Sequence, residues 1–234
     1  MMVSSTGFFR QPEGGLALEV EPRLESWDAK GSASQVGLSS FLDHLEATVD
    51  PLFVALQGPG SISLTVQVPA HRGVVSGGGD LDNYLFPVVR RLGWSHFMSA
   101  WAQKGREPSS VSVAPAIEIE PPSSEWASCA VTTTASAATT EFKDQVACAV
   151  PVVVPSTGPV EVQIAYRLSS LRNWAALWKP TIDAMGGVLG ISNPAKRYAP
   201  NDDRIVRLGV HRSIDDSLGW NVAIGLYWRL VDSD

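Results

Sequence analysis

The sequence has few cysteines and no long apolar run. Its two cysteines, Cys129 and Cys148, form no CxxC pattern and have no histidine at metal-ligand spacing, so we predict two buried, small apolar residues in a reducing compartment. Residues 1–10 lack a basic region followed by an apolar stretch, and Pro151 interrupts the most apolar later run, 146–154. These absences predict a cytoplasmic protein that is not exported and does not span a membrane.

Positive charge is also scarce, because 18 lysines and arginines stand against 24 aspartates and glutamates, a net charge of −6. This balance argues against a protein that coats nucleic acid nonspecifically, since such affinity comes from cations that neutralise phosphates. It does not exclude a local basic groove, although scattered, solvated charge explains the same residues. The residues that we predict at a nucleic-acid interface are Arg72, Arg90, Arg91, Lys196, Arg197 and Arg204.

The rest of the composition is that of an ordinary globular protein. Apolar residues make up 44% of the 234 residues, and charged residues make up 18%. A chain with this apolar share can bury a core. Its length fits either two small domains or one large one, so the order of the predicted elements has to decide.

Hydrophobic periodicity predicts alternating helices and strands in the first half. Apolar residues recur at three- and four-residue spacing over 38–56, which predicts a helix that Pro51 kinks or divides. Residues 62–68 alternate between apolar and polar side chains, the pattern of a half-buried strand. A second helix is predicted over 80–92. Further strands are predicted at 16–20 and 111–119, and residues 94–105 show no regular pattern.

The second half repeats this order. The predicted segments are a strand at 129–133, a helix from Thr139, a strand at 160–166, a helix at 173–185 and strands at 205–210 and 222–230. Two passes of the same order predict an internal duplication. We therefore predict a mixed α/β (α+β) fold with two similar halves, residues 1–122 and 123–234, each a small mixed sheet with two helices. Four tryptophans are predicted as core anchors, namely Trp174, Trp178, Trp220 and Trp228.

Two aspartates, Asp80 and Asp82, precede Asn83 at a predicted helix start that follows a glycine-rich loop. Their carboxylates can converge if the first lies in the loop or cap and the second in the first helical turn. There they can share a hard divalent ion with a third acid and several waters. Such an ion can activate water and neutralise charge on a phosphodiester. The alternative interpretation is that Asp80 caps the helix while Asp82 favours its positive N-terminal dipole.

The segments around this motif resemble a known nuclease family. The run 61–69, a glycine-rich linker and the run 80–93 are similar to the core of RusA-type Holliday-junction resolvases. That family has a strand, then an Asp-x-Asp-Asn-Leu-x-Lys motif, and an Asp-Asp pair before a further strand. The resemblance implies a small, dimeric, magnesium-dependent endonuclease that acts on branched or structured DNA.

The second half resembles the same family through other residues. Lys179 matches the family's lysine, and Asp202 and Asp203 match its acidic pair. However, Asn173 and Ala175 stand at the positions of the first two aspartates. This half therefore keeps the later part of the motif and lacks its beginning.

The first half departs from the family in the complementary way. Phe86 replaces the lysine, and Arg90 replaces a later aspartate. Each half lacks part of the motif, so the resemblance implies a single-chain pseudo-dimer in which each half has degenerated. Such a chain could act alone, as a higher oligomer or within a larger complex.

The resemblance implies three arrangements. Glu107 or Glu118 completes a site within the first half, Asp202 or Asp203 completes a composite site across the halves, or the protein is an inactive relative that binds nucleic acid or another protein. A sugar or small-molecule enzyme on an unrelated scaffold is a further class that the sequence leaves open. The predicted metal ligands are Asp80, Asp82, Asp202, Asp203 and Glu107, and the predicted catalytic residues are Asp80, Asp82, Asp203 and Lys179.

Overall fold

The computed structural model describes residues 6–77, 79–153 and 157–231. Its strands are β1 (Phe8–Phe9), β2 (Leu16–Ala17), β3 (Gly60–Gln67), β4 (Phe97–Gly105), β5 (Ser110–Pro115), β6 (Glu118–Ile119), β7 (Ala127–Thr133), β8 (Val160–Leu168), β9 (Ile205–Ile214) and β10 (Val222–Leu230). Its α-helices are α1 (Ala33–Ala55), α2 (Val74–Gly77), α3 (Leu81–Leu92), α4 (Thr140–Ala149), α5 (Trp178–Asp183) and α6 (Gly186–Leu189). Short 3-10 helices occur at Trp94–His96, Trp174–Leu177, Asp202–Arg204 and Asp216–Leu218. The predicted mixed α+β class is confirmed.

Eight strands of the described ranges form one sheet in the order β2-β5-β3-β4-β9-β8-β10-β7. The neighbours β3 and β4 are parallel, as are β8 and β9, whereas β4 and β9 pair antiparallel with Trp101 opposite Gly209. Each half contributes four strands. From each edge to the centre, the sheet contains the first, fourth, second and third of these strands in chain order. The predicted halves therefore share one continuous sheet, and the boundary at residue 122 stays a prediction.

The helices pack on one face of the sheet and enclose a continuous apolar core. In β3, Ile62, Leu64 and Val66 point to this face, because side chains alternate along a strand. Helix α1 supplies its stripe at the three- and four-residue spacing seen in the sequence. The residues that α1 buries are Leu38, Phe41, Leu42, Leu45 and Val49.

The opposite face of the sheet is polar and is partly covered by the N-terminal segment. Gln11 donates from Nε2 to Ser63 Oγ at 2.9 Å, and its Oε1 accepts from Arg207 Nε at 3.0 Å. His211 is fully buried here beside Phe8, and burial lowers its pKa to about 3, so the ring is neutral near pH 7. The N-terminal segment thereby ties strands of both halves together.

Several elements differ from the predictions. Strand β4 went unpredicted because small residues, Ala100 and Ala102, occupy its buried positions instead of branched ones. The predicted helix 173–185 is divided into a 3-10 turn and α5, and α6 begins at Gly186, where an end was predicted. Helix α1 continues through Pro51, and the predicted strand 111–119 is interrupted after Pro115.

Some predictions of burial are wrong. Cys148 is exposed on α4, and Cys129 is half-buried because β7 is the edge strand of the sheet. Trp220 is 72% exposed, since it follows the 3-10 turn between β9 and β10, whereas the other three tryptophans named above are buried as predicted. None of the helices in the described residues combines the length and apolar character needed to cross a bilayer.

Candidate metal centre

An acidic cluster lies beside the end of β4 and the start of β9. Asp80 is the N-cap residue of α3, Asp82 lies in the first turn of α3, and Asp202 begins the 3-10 turn that precedes β9. One carboxylate oxygen from each of these residues lies within 4.8 Å of the other two. The cluster is composite, because the first half supplies Asp80 and Asp82 and the second half supplies Asp202.

The glycine-rich loop sets the entry into α3. Gly79 has a φ of +67°, a left-handed conformation that glycine adopts without the penalty of a side chain. Asp80 follows with extended backbone, and the helix begins at Leu81, whose side chain is buried in the core. The N-cap and first turn of α3 therefore follow directly on Gly79, and they carry both aspartates next to Asp202 of the second half.

Asp82 is the most buried member of the cluster, with 4% of its surface exposed. Within the described residues its carboxylate accepts no hydrogen bond, and Lys179 Nζ lies 3.7 Å from its Oδ2. Burial raises the pKa of Asp82 to about 7, although Lys179 acts in the opposite direction. The carboxylate is thus largely withdrawn from water, and Lys179 balances part of its charge.

Asp80 does not cap its helix. Its side chain makes no capping hydrogen bond, and its Oδ2 accepts from Asn83 Nδ2 at 3.0 Å instead. Burial raises the pKa of Asp80, and the charge of Asp202 raises it further. The capping interpretation therefore fails for Asp80, which leaves its carboxylate available to a ligand.

Lys179 of α5 is the cation closest to the cluster. Its Nζ donates to Asp202 Oδ2 at 2.9 Å and lies 3.5 Å from Asp183 Oδ1. Burial lowers the pKa of Lys179, but the charges of Asp82 and Asp202 outweigh burial and hold it above its ordinary value. The side chain is 46% exposed, so solvent reaches this side of the cluster.

Lys104 is a site residue that the sequence reasoning missed. It lies on β4, is 7% exposed, and donates from Nζ to the carbonyl oxygen of Asp203 at 2.6 Å. Burial lowers its pKa, while the carboxylates of Asp80 and Asp203 act in the opposite direction. The signal that could have found it is the two-residue spacing of Ala100, Ala102 and Lys104 on one face of the strand.

The other predicted ligands take different positions. Asp203 lies next to the cluster, but its carboxylate is not one of the three that converge. Glu107 is exposed in the turn after β4, and Glu118 lies on β6 opposite Phe9, so neither belongs to the cluster. Both glutamates that were predicted to complete a site within the first half therefore lie outside this cluster.

The predicted nucleic-acid-binding arginines are largely paired. Ion pairs with neighbouring carboxylates reduce the positive charge that they offer to phosphates. These pairs are Arg90–Glu25 at 3.0 Å, Arg91–Asp43 and Arg91–Glu46 at 2.7 Å each, and Arg197–Asp144 at 2.9 Å.

Arg204 is a correction to the predicted interface. Its guanidinium is buried and donates to the carbonyl oxygens of Gly158 at 2.9 Å and Leu189 at 2.7 Å, so it cannot contact phosphate. Arg72 and Lys196 are exposed and form no ion pair within the described part of the chain. These two remain available for an anionic partner.

At the opposite end of the β4–β9 pair, residues at equivalent sequence positions form a similar backbone arrangement, but they do not carry the carboxylates of the acidic cluster. Trp94 lies seven residues before Trp101, just as Asp202 lies seven residues before Gly209. Asn173 is the N-cap residue of the 3-10 turn before α5, at the position that corresponds in sequence to Asp80. We call these two regions the acidic end and the aromatic end.

Arg212 takes the place of Lys104 at the aromatic end, because each lies three residues after the paired Trp101 or Gly209. Its Nη2 donates to Ser95 O at 2.6 Å, the equivalent of the bond from Lys104 to Asp203 O. Its guanidinium also lies over the rings of Trp94 and Trp174, at 5.8 and 5.7 Å from their centroids. The two ends thus share a backbone contact and differ in side chains.

The acidic end fits a hard divalent cation. Carboxylate oxygens are the ligands that Mg²⁺ and Mn²⁺ bind, and solvent access on the Lys179 side leaves room for water ligands. The burial of Asp82 beside two further carboxylates is a second sign, because Lys179 balances only part of their negative charge and a divalent cation would offset more of it. No protein-family model, curated protein or solved structure matches this chain.

Proposed function

We propose that the protein is a metal-dependent endonuclease that acts on branched or structured DNA, with one composite site built from Asp80, Asp82 and Asp202. The observation that carries this proposal is the convergence of these three carboxylates from the two halves of the chain within 4.8 Å. The RusA-type motifs around them supply the reaction class. The same motifs make Mg²⁺ or Mn²⁺ the proposed cofactor.

We also propose that the two halves form a single-chain pseudo-dimer. Two independent features support a duplication. The strand connections repeat in both halves, and Lys104 and Arg212 make equivalent bonds to backbone carbonyls at equivalent positions. On this view, one of two ancestral sites became the acidic end and the other became the aromatic end.

The residues of the acidic end divide the chemistry between them. Asp80, Asp82 and Asp202 would hold the ion, which when bound activates water and neutralises charge on the phosphodiester. Lys179, half-exposed beside them, can donate to a phosphate oxygen. Arg72 and Lys196, which are exposed and unpaired in the described chain, are the proposed backbone contacts, because such contacts position DNA without reading its sequence.

One observation favours a noncatalytic alternative. Lys179 already pairs with Asp202 and Asp82, so an ammonium can balance part of the negative charge without a metal ion. Three of the six predicted DNA contacts also form ion pairs with the protein's own carboxylates. Under this alternative, the protein is a scaffold that binds nucleic acid or another protein.

The test is cleavage of synthetic four-way junctions by the purified chain with Mg²⁺ or Mn²⁺. We expect Asp202→Asn to reduce the rate at least about 100-fold, since one ligand of a metal that acts in the reaction is lost. Asp43→Asn is the matched control, because this exposed aspartate on α1 lies outside the cluster and pairs with Arg91, and we expect its rate within about twofold of the wild type.

Two results would contradict the proposal. Cleavage that persists in Asp202→Asn would remove the second half from the site. A wild-type protein with neither cleavage of branched DNA nor a metal-dependent shift in melting temperature would favour the scaffold. In that case, binding of the junction without metal would identify nucleic acid as the partner.

A further inference from the structure

Lys104 connects the first half of the chain to the turn that carries Asp202. The β4–β9 ladder ends where Gln103 pairs with Arg207, so residues 202–204 lie beyond the last backbone pair between these strands. The ladder therefore does not hold Asp202 near α3. The bond from Lys104 Nζ to Asp203 O reaches across this gap at 2.6 Å.

The same turn is held from the other side by contacts within the second half. Arg204 donates to the carbonyls of Gly158 and Leu189, and the amide of Asn201 donates to Gly190 O at 3.0 Å. These contacts fix the turn to its own half. They do not reach α3 in the other half. Lys179 lies between Asp202 and Asp82 at the half-exposed side of the cluster, and Lys104 is the buried link from β4 to the turn.

We propose that Lys104 is a positioning residue that sets Asp202 against Asp80 and Asp82 and thereby completes the metal centre. The inference rests on the proposed function and names a residue that the sequence motifs do not contain. Its basis is geometric, because the buried side chain of Lys104 in the first half donates to the backbone carbonyl of Asp203 in the second half, and Asp203 is the neighbour of the proposed metal ligand Asp202. Residues of this kind set ligand geometry and, with it, metal affinity.

Substitution of Lys104 has two effects on metal affinity that oppose each other, so the direction of the measured change shows which effect is larger. A buried ammonium repels a nearby cation, so loss of charge alone would tighten metal binding. Loss of the bond to Asp203 O would release the turn and weaken metal binding. The proposal predicts that the second effect is the larger.

Arg212 supplies the matched control. It is as buried as Lys104 and makes the equivalent bond to Ser95 O, but no carboxylate cluster lies at its end of the sheet in the described chain. If loss of stability alone weakened metal binding, substitution of either residue would weaken it to a similar extent. An effect on metal affinity that is confined to Lys104 would come from its position.

The experiment measures Mn²⁺ binding by titration calorimetry with the full chain. We expect Lys104→Met to raise the Kd about tenfold, Lys104→Arg to restore affinity to within about threefold of the wild type, and Arg212→Met to change it less than about twofold. If Lys104→Met does not fold, Lys104→Gln removes the charge and most of the reach and takes its place. Unchanged or tighter binding in a folded, neutral Lys104 variant would overturn the proposal.

Hydrogen exchange separates this inference from the proposed function. Lys104→Met should speed exchange of the amides in 202–206, whereas Arg212→Met should speed exchange in 94–98. If the wild type binds no Mn²⁺, the proposed metal centre fails, and the exchange result alone decides whether Lys104 positions the turn. Unchanged exchange in 202–206 would contradict that role.

Discussion

The acidic end and the aromatic end use the same backbone frame for different purposes. At both ends, a basic residue donates to a backbone carbonyl near the start of the partner strand, Lys104 to Asp203 O and Arg212 to Ser95 O. Counted from the central pair Trp101–Gly209, each donor lies three residues after the centre of its strand and each acceptor six residues before it. At one end the neighbouring side chains are carboxylates, and at the other they are indoles. The backbone contact that both ends share can be assigned to the fold, whereas the carboxylates that only one end carries are the groups that a ligand would need.

The two ends also differ in what they contribute to stability. The aromatic end buries large apolar surfaces around a guanidinium that stacks on two rings. The acidic end holds like charges together and buries Asp82, with Lys179 Nζ 3.7 Å from its Oδ2. We infer that the aromatic end stabilises the fold, whereas the acidic end lowers the stability of the metal-free protein.

The largest effect is expected at the aromatic end. Trp174 is fully buried, donates from Nε1 to Trp94 O at 2.9 Å and packs edge-on against Trp178. Trp174→Ala should lower the free energy of unfolding by about 3–5 kcal/mol, because it removes apolar burial and leaves a cavity. Urea unfolding measures the change.

The control for this prediction is the exposed tryptophan of the same half. Trp220→Ala should change the free energy of unfolding by less than about 0.5 kcal/mol, since the side chain is 72% exposed. Similar losses in the two variants would contradict the assignment of the aromatic end as a stabilising core.

The second prediction concerns Asp82 and the acidic end. Its pKa is about 7 in the folded protein against an ordinary value near 3.8, so the folded state keeps a proton that the unfolded state releases. Stability from this group is therefore full below pH 4 and is lost as the pH rises through 7. Asp82→Asn cannot ionise and should stabilise the metal-free protein by up to about 4 kcal/mol at pH 8, with little effect at pH 4.

Melting curves at pH 4, 6 and 8 check this dependence. Saturating Mn²⁺ should reverse the order at pH 8, because the ion stabilises the wild type and Asp82→Asn lacks a ligand for it. A variant that is less stable than the metal-free wild type at pH 8 would show that Asp82 is stabilised as a charged group, contrary to its burial.

The acidic end was only partly predictable from the sequence. The spacing of Asp80 and Asp82 indicated a shared ion, and the pair at 202–203 was named as a source of the third acid. Which member of that pair points to α3 depends on contacts between halves that are distant in sequence, including the bond from Lys104 to Asp203 O. No local pattern carries that information.

The fold was predictable where the spacing of apolar residues along the chain marks the buried face of an element. The alternation in β3 and the stripe of α1 follow from period, whereas β4 has small residues at its inward positions and takes its place from its neighbours. Arg204 shows the same limit for charge. Its sequence neighbours suggest a basic surface, but its guanidinium bonds to two carbonyls inside the protein.

The smallest expected effect compares the N-cap residue at each end, Asp80 before α3 and Asn173 before the 3-10 turn Trp174–Leu177. Asn173 accepts a hydrogen bond from the amide of Ala175 at 3.1 Å, so Asn173→Ala should lower the free energy of unfolding by about 1 kcal/mol. Asp80 makes no capping bond and is repelled by Asp202, so Asp80→Ala should be neutral or slightly stabilising without metal. Chemical denaturation of both variants measures the difference. Equal losses would mean that Asp80 supports its helix as Asn173 does, and the contrast between a structural end and a ligand-binding end would disappear.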